Sequence, residues 1–124
     1  MQKTNSRPKI LAISAHSDDI EFYAGGTLLS LAPTHDIYLV VATNGEAGTH
    51  TPSPNISQQR RREQSRAAKI IGIKQIYYFD FPDTQLEYYV REYKEKLKQI
   101  ITKNISAPWL LATIYTILFF YVKD

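Results

Sequence analysis

The stretch Lys9-Ile10-Leu11-Ala12-Ile13-Ser14-Ala15-His16-Ser17-Asp18-Asp19-Ile20-Glu21-Phe22-Tyr23-Ala24-Gly25-Gly26-Thr27-Leu28-Leu29 decides how this chain is read. An apolar run ends abruptly in a histidine and two adjacent carboxylates, and a helical pattern follows at once. Ile10 to Ser14 is continuously apolar, as suits a parallel strand covered on both faces. The helix after it is expected over Ile20 to Leu31. Asp18 or Asp19 is placed to cap it, and Glu21 lies in the first turn, where the helix dipole favours a carboxylate. Pro33 stops it. A strand that delivers polar groups to its own C-terminal edge is the usual wall of a ligand crevice in an open α/β sheet.

Working outward, Asp36 to Thr43 reads as a second strand and Asn44-Gly45-Glu46-Ala47-Gly48 as its turn-rich exit. His50 to Asn55, with Pro52 and Pro54, is a loop. Ser57 is expected to cap a helix running to Ile71, with Ala67, Ala68, Ile70 and Ile71 apolar and Gly72 as its stop. Gln75 to Phe79 is a third strand, and Phe81-Pro82-Asp83-Thr84 is another exit loop. Tyr88 to Lys103 is an amphipathic helix with Val90, Tyr93, Leu97, Ile100 and Ile101 facing inward. A fourth strand is expected from Ala107 or Trp109 to about Tyr115. Strands alternating with helices argue a single α/β domain built on a mostly parallel sheet with right-handed crossovers. Three strand exits then carry polar residues to one edge: His16, Asp18 and Asp19, then Asn44 and Glu46, then Asp83.

The chain has 124 residues, 44% of them apolar, with a net charge of +3 and a pI of about 9.1. That is enough for one domain with its own core. The basic excess is mild and falls short of a nucleic-acid footprint. There is no cysteine, so disulfides and Cys-rich zinc sites are excluded, and a metal would have to use His, Asp, Glu and water. The polar N-terminus carries no apolar leader core, so the chain reads as cytoplasmic. The charge-free stretch Ala107 to Val122 is shorter than the roughly 20 apolar residues of a membrane span and contains Pro108. As an apolar tail it predicts association into oligomers or aggregates.

His16 and Asp19 supply an imidazole nitrogen and a carboxylate, both good zinc donors; catalytic zinc commonly takes three protein ligands and a water. Asp18, a second carboxylate beside them, is placed to take a proton from such a water. The reaction class is metal-assisted hydrolysis of an amide or ester. A plainer reading stands beside it: the two aspartates as helix caps and the histidine as a polar surface residue. Gly25-Gly26 lies within the helix rather than in the turn, which argues against a dinucleotide fingerprint; close packing of helix on sheet, or an active-site wall, is the expected use. Arg60-Arg61-Arg62 reads as a solvated helix face from which one member can reach the crevice. Glu63 reads as a surface or capping residue, and Asp83 as the centre of an Asx-turn.

These residues resemble a known family. Ala15-His16-Ser17-Asp18-Asp19-Ile20-Glu21 followed by Gly25-Gly26-Thr27-Leu28 is similar to the opening signature of the LmbE/PIG-L-type deacetylases, usually Ala-His-Pro-Asp-Asp-x-Glu and then Gly-Gly-Thr. Thr43 to Gly48, then Arg60 and Glu63 with Ala67-Ala68 and Ile71-Gly72, then Phe81-Pro82-Asp83-Thr84 resemble its later landmarks in order. The resemblance implies a Rossmann-like three-layer fold and a zinc-dependent hydrolase that removes acetyl from an N-acetylglucosamine-type amide. By position, His16 and Asp19 would bind zinc, Asp18 would be the general base, and Glu46, Arg60 and Asp83 would line or support the substrate pocket. The expected partner is a small N-acetylated sugar or sugar conjugate.

Two departures stand out. Ser17 replaces the usual proline. The family's third zinc ligand comes from a His-Pro-Asp-His-like segment after the fourth strand, and no histidine follows His50 here. His35 falls at the wrong end of the sheet; His50 and Glu46 lie on the correct edge. The fold is therefore expected to be incomplete at its C-terminal side, a frame shift near residue 105 being one origin that the downstream nucleotide sequence would reveal. An inactive remnant lacking the third ligand is the alternative to the enzyme.

Overall fold

A computed structural model describes residues 7–48, 54–104 and 110–112 of the chain. The first strand, β1 (Lys9–Ser14), is buried from Ile10 to Ser14. Successive strand residues face opposite sides of a sheet, so β1 must be covered twice. Helix α1 (Asp19–Leu31) follows it, then β2 (Asp36–Thr43), α2 (Ile56–Ile71), β3 (Ile73–Phe81), α3 (Val90–Asn104) and β4 (Leu110–Ala112). Short 3₁₀ turns at Glu46–Gly48 and Leu86–Tyr89 precede α2 and α3.

The strand order is β3-β2-β1-β4, and all three pairings are parallel. The chain steps from β1 outward to β3 and then crosses back to the far side of β1. Right-handed crossovers taken in opposite directions put the helices on opposite faces. On one face Ile10, Ala12, Ile37, Leu39 and Val41 pack against Ile20, Ala24 and Leu28 of α1 and Ile71 of α2. On the other, Leu11, Ile13, Tyr38, Val40, Phe79 and Phe81 pack against Leu97 and Ile100 of α3. This is the expected three-layer, Rossmann-like α/β arrangement, with its topological switch point at the C-terminal end of β1, between β1 and β4. Among the described residues the sheet ends at β4, and no helix is long and apolar enough to cross a membrane.

Several local expectations need correcting. Neither Asp18 nor Asp19 caps α1: Asp18 holds the N-cap position but makes no side-chain cap hydrogen bond. Helix α2 starts at Ile56 with Asn55, not Ser57, at its N-cap, because the Gln59 N–H closes the first turn on the Asn55 carbonyl at 3.0 Å. Strand β3 is longer than Gln75 to Phe79; it pairs with β2 from Ile73 to Phe81 through two register shifts, one of them beside Asp80, whose φ is 57°. Val90 is exposed, since the preceding 3₁₀ turn places Leu86 and Tyr89 against the core instead. The helical glycines do not serve close packing: a Cβ on Gly26 would meet nothing within 4 Å, and one on Gly25 only the Ile20 carbonyl at 3.8 Å. Gly72 is the expected stop, in the left-handed conformation at φ 96°. Of the expected fourth strand, Leu110–Ala112 pairs with Leu11, Ala12 and Ile13; the rest of the C-terminal stretch lies outside the described residues, as does His50.

Candidate active site at the strand exits

Backbone bonds draw the first two exits together. Thr43 donates both its N–H and its hydroxyl to the Ala15 carbonyl, each at 2.9 Å. Asn44 ties β2 to β3: its N–H donates to the Phe81 carbonyl at 3.0 Å, and its Oδ1 accepts from Glu46 N at 3.2 Å and Asp83 N at 3.3 Å. The result brings His16, Asp18, Asp19 and Asp83 to one place.

His16 stands between two carboxylates. Its Nε2 donates to Asp83 Oδ1 at 2.7 Å, and its Nδ1 faces Asp19 Oδ2 at 3.6 Å. Asp19 Oδ2 also accepts the His16 backbone N–H at 3.0 Å, which explains why it turns back instead of capping α1. The Asp19 carboxylate is the main cause of a His16 pKa raised to about 9; partial burial opposes the rise and Asp83 adds to it. Asp83 is buried, and both its oxygens are engaged. Oδ1 accepts from His16 and from Thr84 N at 2.9 Å, and Oδ2 accepts from Ala47 N at 3.1 Å.

Asp18 is exposed beside this pair, in a left-handed conformation at φ 84°, ψ −24°. Its N–H donates to Gln64 Oε1 at 3.0 Å, and Gln64 Nε2 donates to Glu21 Oε1. Gln64, only 2% exposed, is the residue that sequence reasoning missed. The signal was present: Gln64, Ala68 and Ile71 recur at i, i+4 and i+7 on the buried stripe of α2. Arg60 is half-buried with its side chain against the β2 exit, where a Cβ on Gly45 would lie 3.2 Å from its Cδ. Glu46 is exposed at the same exit. Arg61 pairs with Asp80 and lies 4.5 Å over the Tyr78 ring. His35 sits at the opposite edge, bonded to Thr34 Oγ1 at 2.8 Å.

Two donors about 2.1 Å from a tetrahedral ion stand about 3.4 Å apart, so His16 Nδ1 and Asp19 Oδ2 at 3.6 Å suit one metal between them. A carboxylate bonded to the other ring nitrogen, as Asp83 is to Nε2, is what would fix the tautomer if His16 held a metal. Among the described residues no group of three or more His, Cys, Asp or Glu is arranged to hold a metal. Asp83 cannot join Asp19 on one ion because it takes the other ring nitrogen. The described residues thus fit two positions of a zinc site.

The family profile of PIG-L, GlcNAc-PI de-N-acetylase, matches residues 11–118. The chain belongs to the PIG-L family. A relative within this family's reach is the diacetylchitobiose deacetylase of Thermococcus kodakarensis, 32% identical over 86% of this chain and 43% of that protein. The deacetylase YaiS of Escherichia coli, itself uncharacterised, is 34% identical over 94% of this chain and 60% of its own length. Among solved structures, the N,N′-diacetylchitobiose deacetylase of Pyrococcus horikoshii in complex with its inhibitor MPG superposes with a TM-score of 0.71. It is 32% identical, covering 79% of this chain and 38% of that one. The PIG-L chain described here therefore spans between about two fifths and three fifths of these relatives.

Proposed function

We propose that this domain carries the first part of a zinc-dependent hydrolase site that removes acetyl from an N-acetylglucosamine-type amide. The observation that carries the reading is His16, held on Nε2 by Asp83 and facing Asp19 through Nδ1, with Asp18 exposed beside it. His16 and Asp19 would hold the metal, which when bound supplies a Lewis acid for the amide carbonyl and acidifies water. Asp18 accepts the proton of the attacking water and returns it to the sugar nitrogen as the C–N bond breaks, giving acetate and the free amine. Asp83, with both oxygens engaged, orients His16 rather than meeting the sugar. Arg60 and Glu46, at the β2 exit, offer a donor and an acceptor to its hydroxyls. The names of two matched relatives, both diacetylchitobiose deacetylases, support the substrate class.

A second reading, a ligand-binding domain of the same fold without turnover, is favoured by the count of two metal donors among the described residues. Zinc content of the purified chain, followed by acetate release from diacetylchitobiose, separates the two. The hydrolase reading expects stoichiometric zinc that is lost in His16→Ala, with turnover abolished in Asp18→Ala. No bound zinc at saturating concentration overturns it in favour of the second.

A further inference from the structure

We propose that Gln64 is a positioning residue for the Asp18 carboxylate, acting through the backbone of Asp18. The role rests on the reading of Asp18 as proton acceptor. An L-residue at φ 84° sits in a sparsely occupied region of backbone space, and such a conformation persists only where its surroundings impose it. Two bonds do so here. The Asp18 carbonyl accepts the Phe22 N–H at 3.2 Å, closing the first turn of α1. The Asp18 N–H donates to Gln64 Oε1 at 3.0 Å, from a different helix.

The first bond belongs to any helix start; the second comes from a side chain on a separate helix. Gln64 is 2% exposed, so its amide has no water to turn to. Both ends of that amide are committed, the oxygen to Asp18 and the nitrogen to Glu21 Oε1, one turn further along α1. The amide cannot flip without losing both bonds, since it would then present N–H to N–H and oxygen to carboxylate. Gln64 thereby clamps the start of α1 to α2 and fixes φ at Asp18. Because φ and ψ set the direction of Cα–Cβ, they also set where the carboxylate stands relative to His16 and Asp19. Without the clamp, Asp18 relaxes to an ordinary conformation and its carboxylate swings away from the water it must deprotonate.

The test uses the full chain with Gln64→Met, which keeps the volume and removes both bonds. Removing the donor also strands Glu21, so the double variant Gln64→Met with Glu21→Leu replaces both partners by apolar groups and recovers stability. Amide hydrogen exchange, read by NMR on the zinc-free protein, is expected to quicken at least tenfold at Asp18 in both variants, with the β1 amides unchanged in the double variant. On zinc-loaded protein with diacetylchitobiose, kcat is expected to fall 10-fold to 100-fold in both, with KM within twofold. Unchanged exchange at Asp18, or restored kcat in the stabilised double variant, overturns the inference. A parent chain that releases no acetate sinks the proposed hydrolase instead, and the exchange measurement still decides whether Gln64 holds Asp18.

Discussion

At the proposed metal site, zinc and protons would compete for one nitrogen of His16, and the neighbours of that ring set the terms. The Asp19 carboxylate beside the ring, aided by Asp83 and opposed by partial burial, raises the His16 pKa from 6.5 to about 9. At pH 7 a group titrating near 9 is unprotonated in about 1% of molecules. A metal needs that unprotonated form. Apparent zinc affinity is therefore expected to rise about tenfold per pH unit across the neutral range, from a value at pH 7 about 100-fold below its limit. Only the Nδ1 proton has to leave, because Nε2 keeps its bond to Asp83. Calorimetric titration between pH 6.5 and 8.5, in buffers of different ionisation enthalpy, checks this through close to one proton released per zinc.

The same linkage is expected in the stability of the zinc-free chain. A pKa raised by folding stabilises fully below the unfolded value of 6.5, and that contribution is lost as pH climbs through about 9. The His16 side chain is 42% exposed, so solvent screening limits the loss to about 1 kcal/mol. Zinc affinity flat from pH 6.5 to 8.5 without proton release, together with an NMR titration of His16 near 6.5, would refute the reasoning.

Other outcomes follow from single contacts. Asp83→Asn removes the carboxylate that accepts from His16, so the His16 pKa is expected to fall from about 9, with about 2 kcal/mol lost in urea unfolding. Leu28, fully buried between α1 and the sheet, is expected to cost about 3 kcal/mol when cut to alanine, read from the same denaturation curves. Gly72→Ala meets a φ of 96° and places a Cβ 2.9 Å from the Ala32 Cβ. A stability loss of about 1 kcal/mol or more is expected there, measured as a lowered Tm.

Much of the fold was legible because its signals are local. The unbroken apolar run of β1, the β-branched run of β2 and the placing of Ala68 and Ile71 in α2 each follow from one segment's own need to bury a face, although Ile70, read with them, is exposed. So does Gly72, whose stop needs only a residue tolerant of positive φ. The errors fell where neighbours decide. Val90 fits an inward helical position, yet the 3₁₀ turn before it gives that place to Leu86 and Tyr89. The ends of β3 depend on its register with β2, which no window of β3 alone reveals.

The site divides in the same way. His16, Asp18 and Asp19 could be singled out from sequence because a strand that ends in three polar residues has nowhere to bury them. What each one touches could not be read there. Asp19 turns back to the His16 backbone, Asp83 reaches His16 from a strand exit 67 residues away, and Gln64 crosses from α2 to hold Asp18. A short polar side chain commits to whichever partner the packing of separate elements brings within about 3 Å. Residue order alone therefore determines which groups are delivered to the edge of the sheet, and only the folding of β2, α2 and β3 around β1 decides which of them meet.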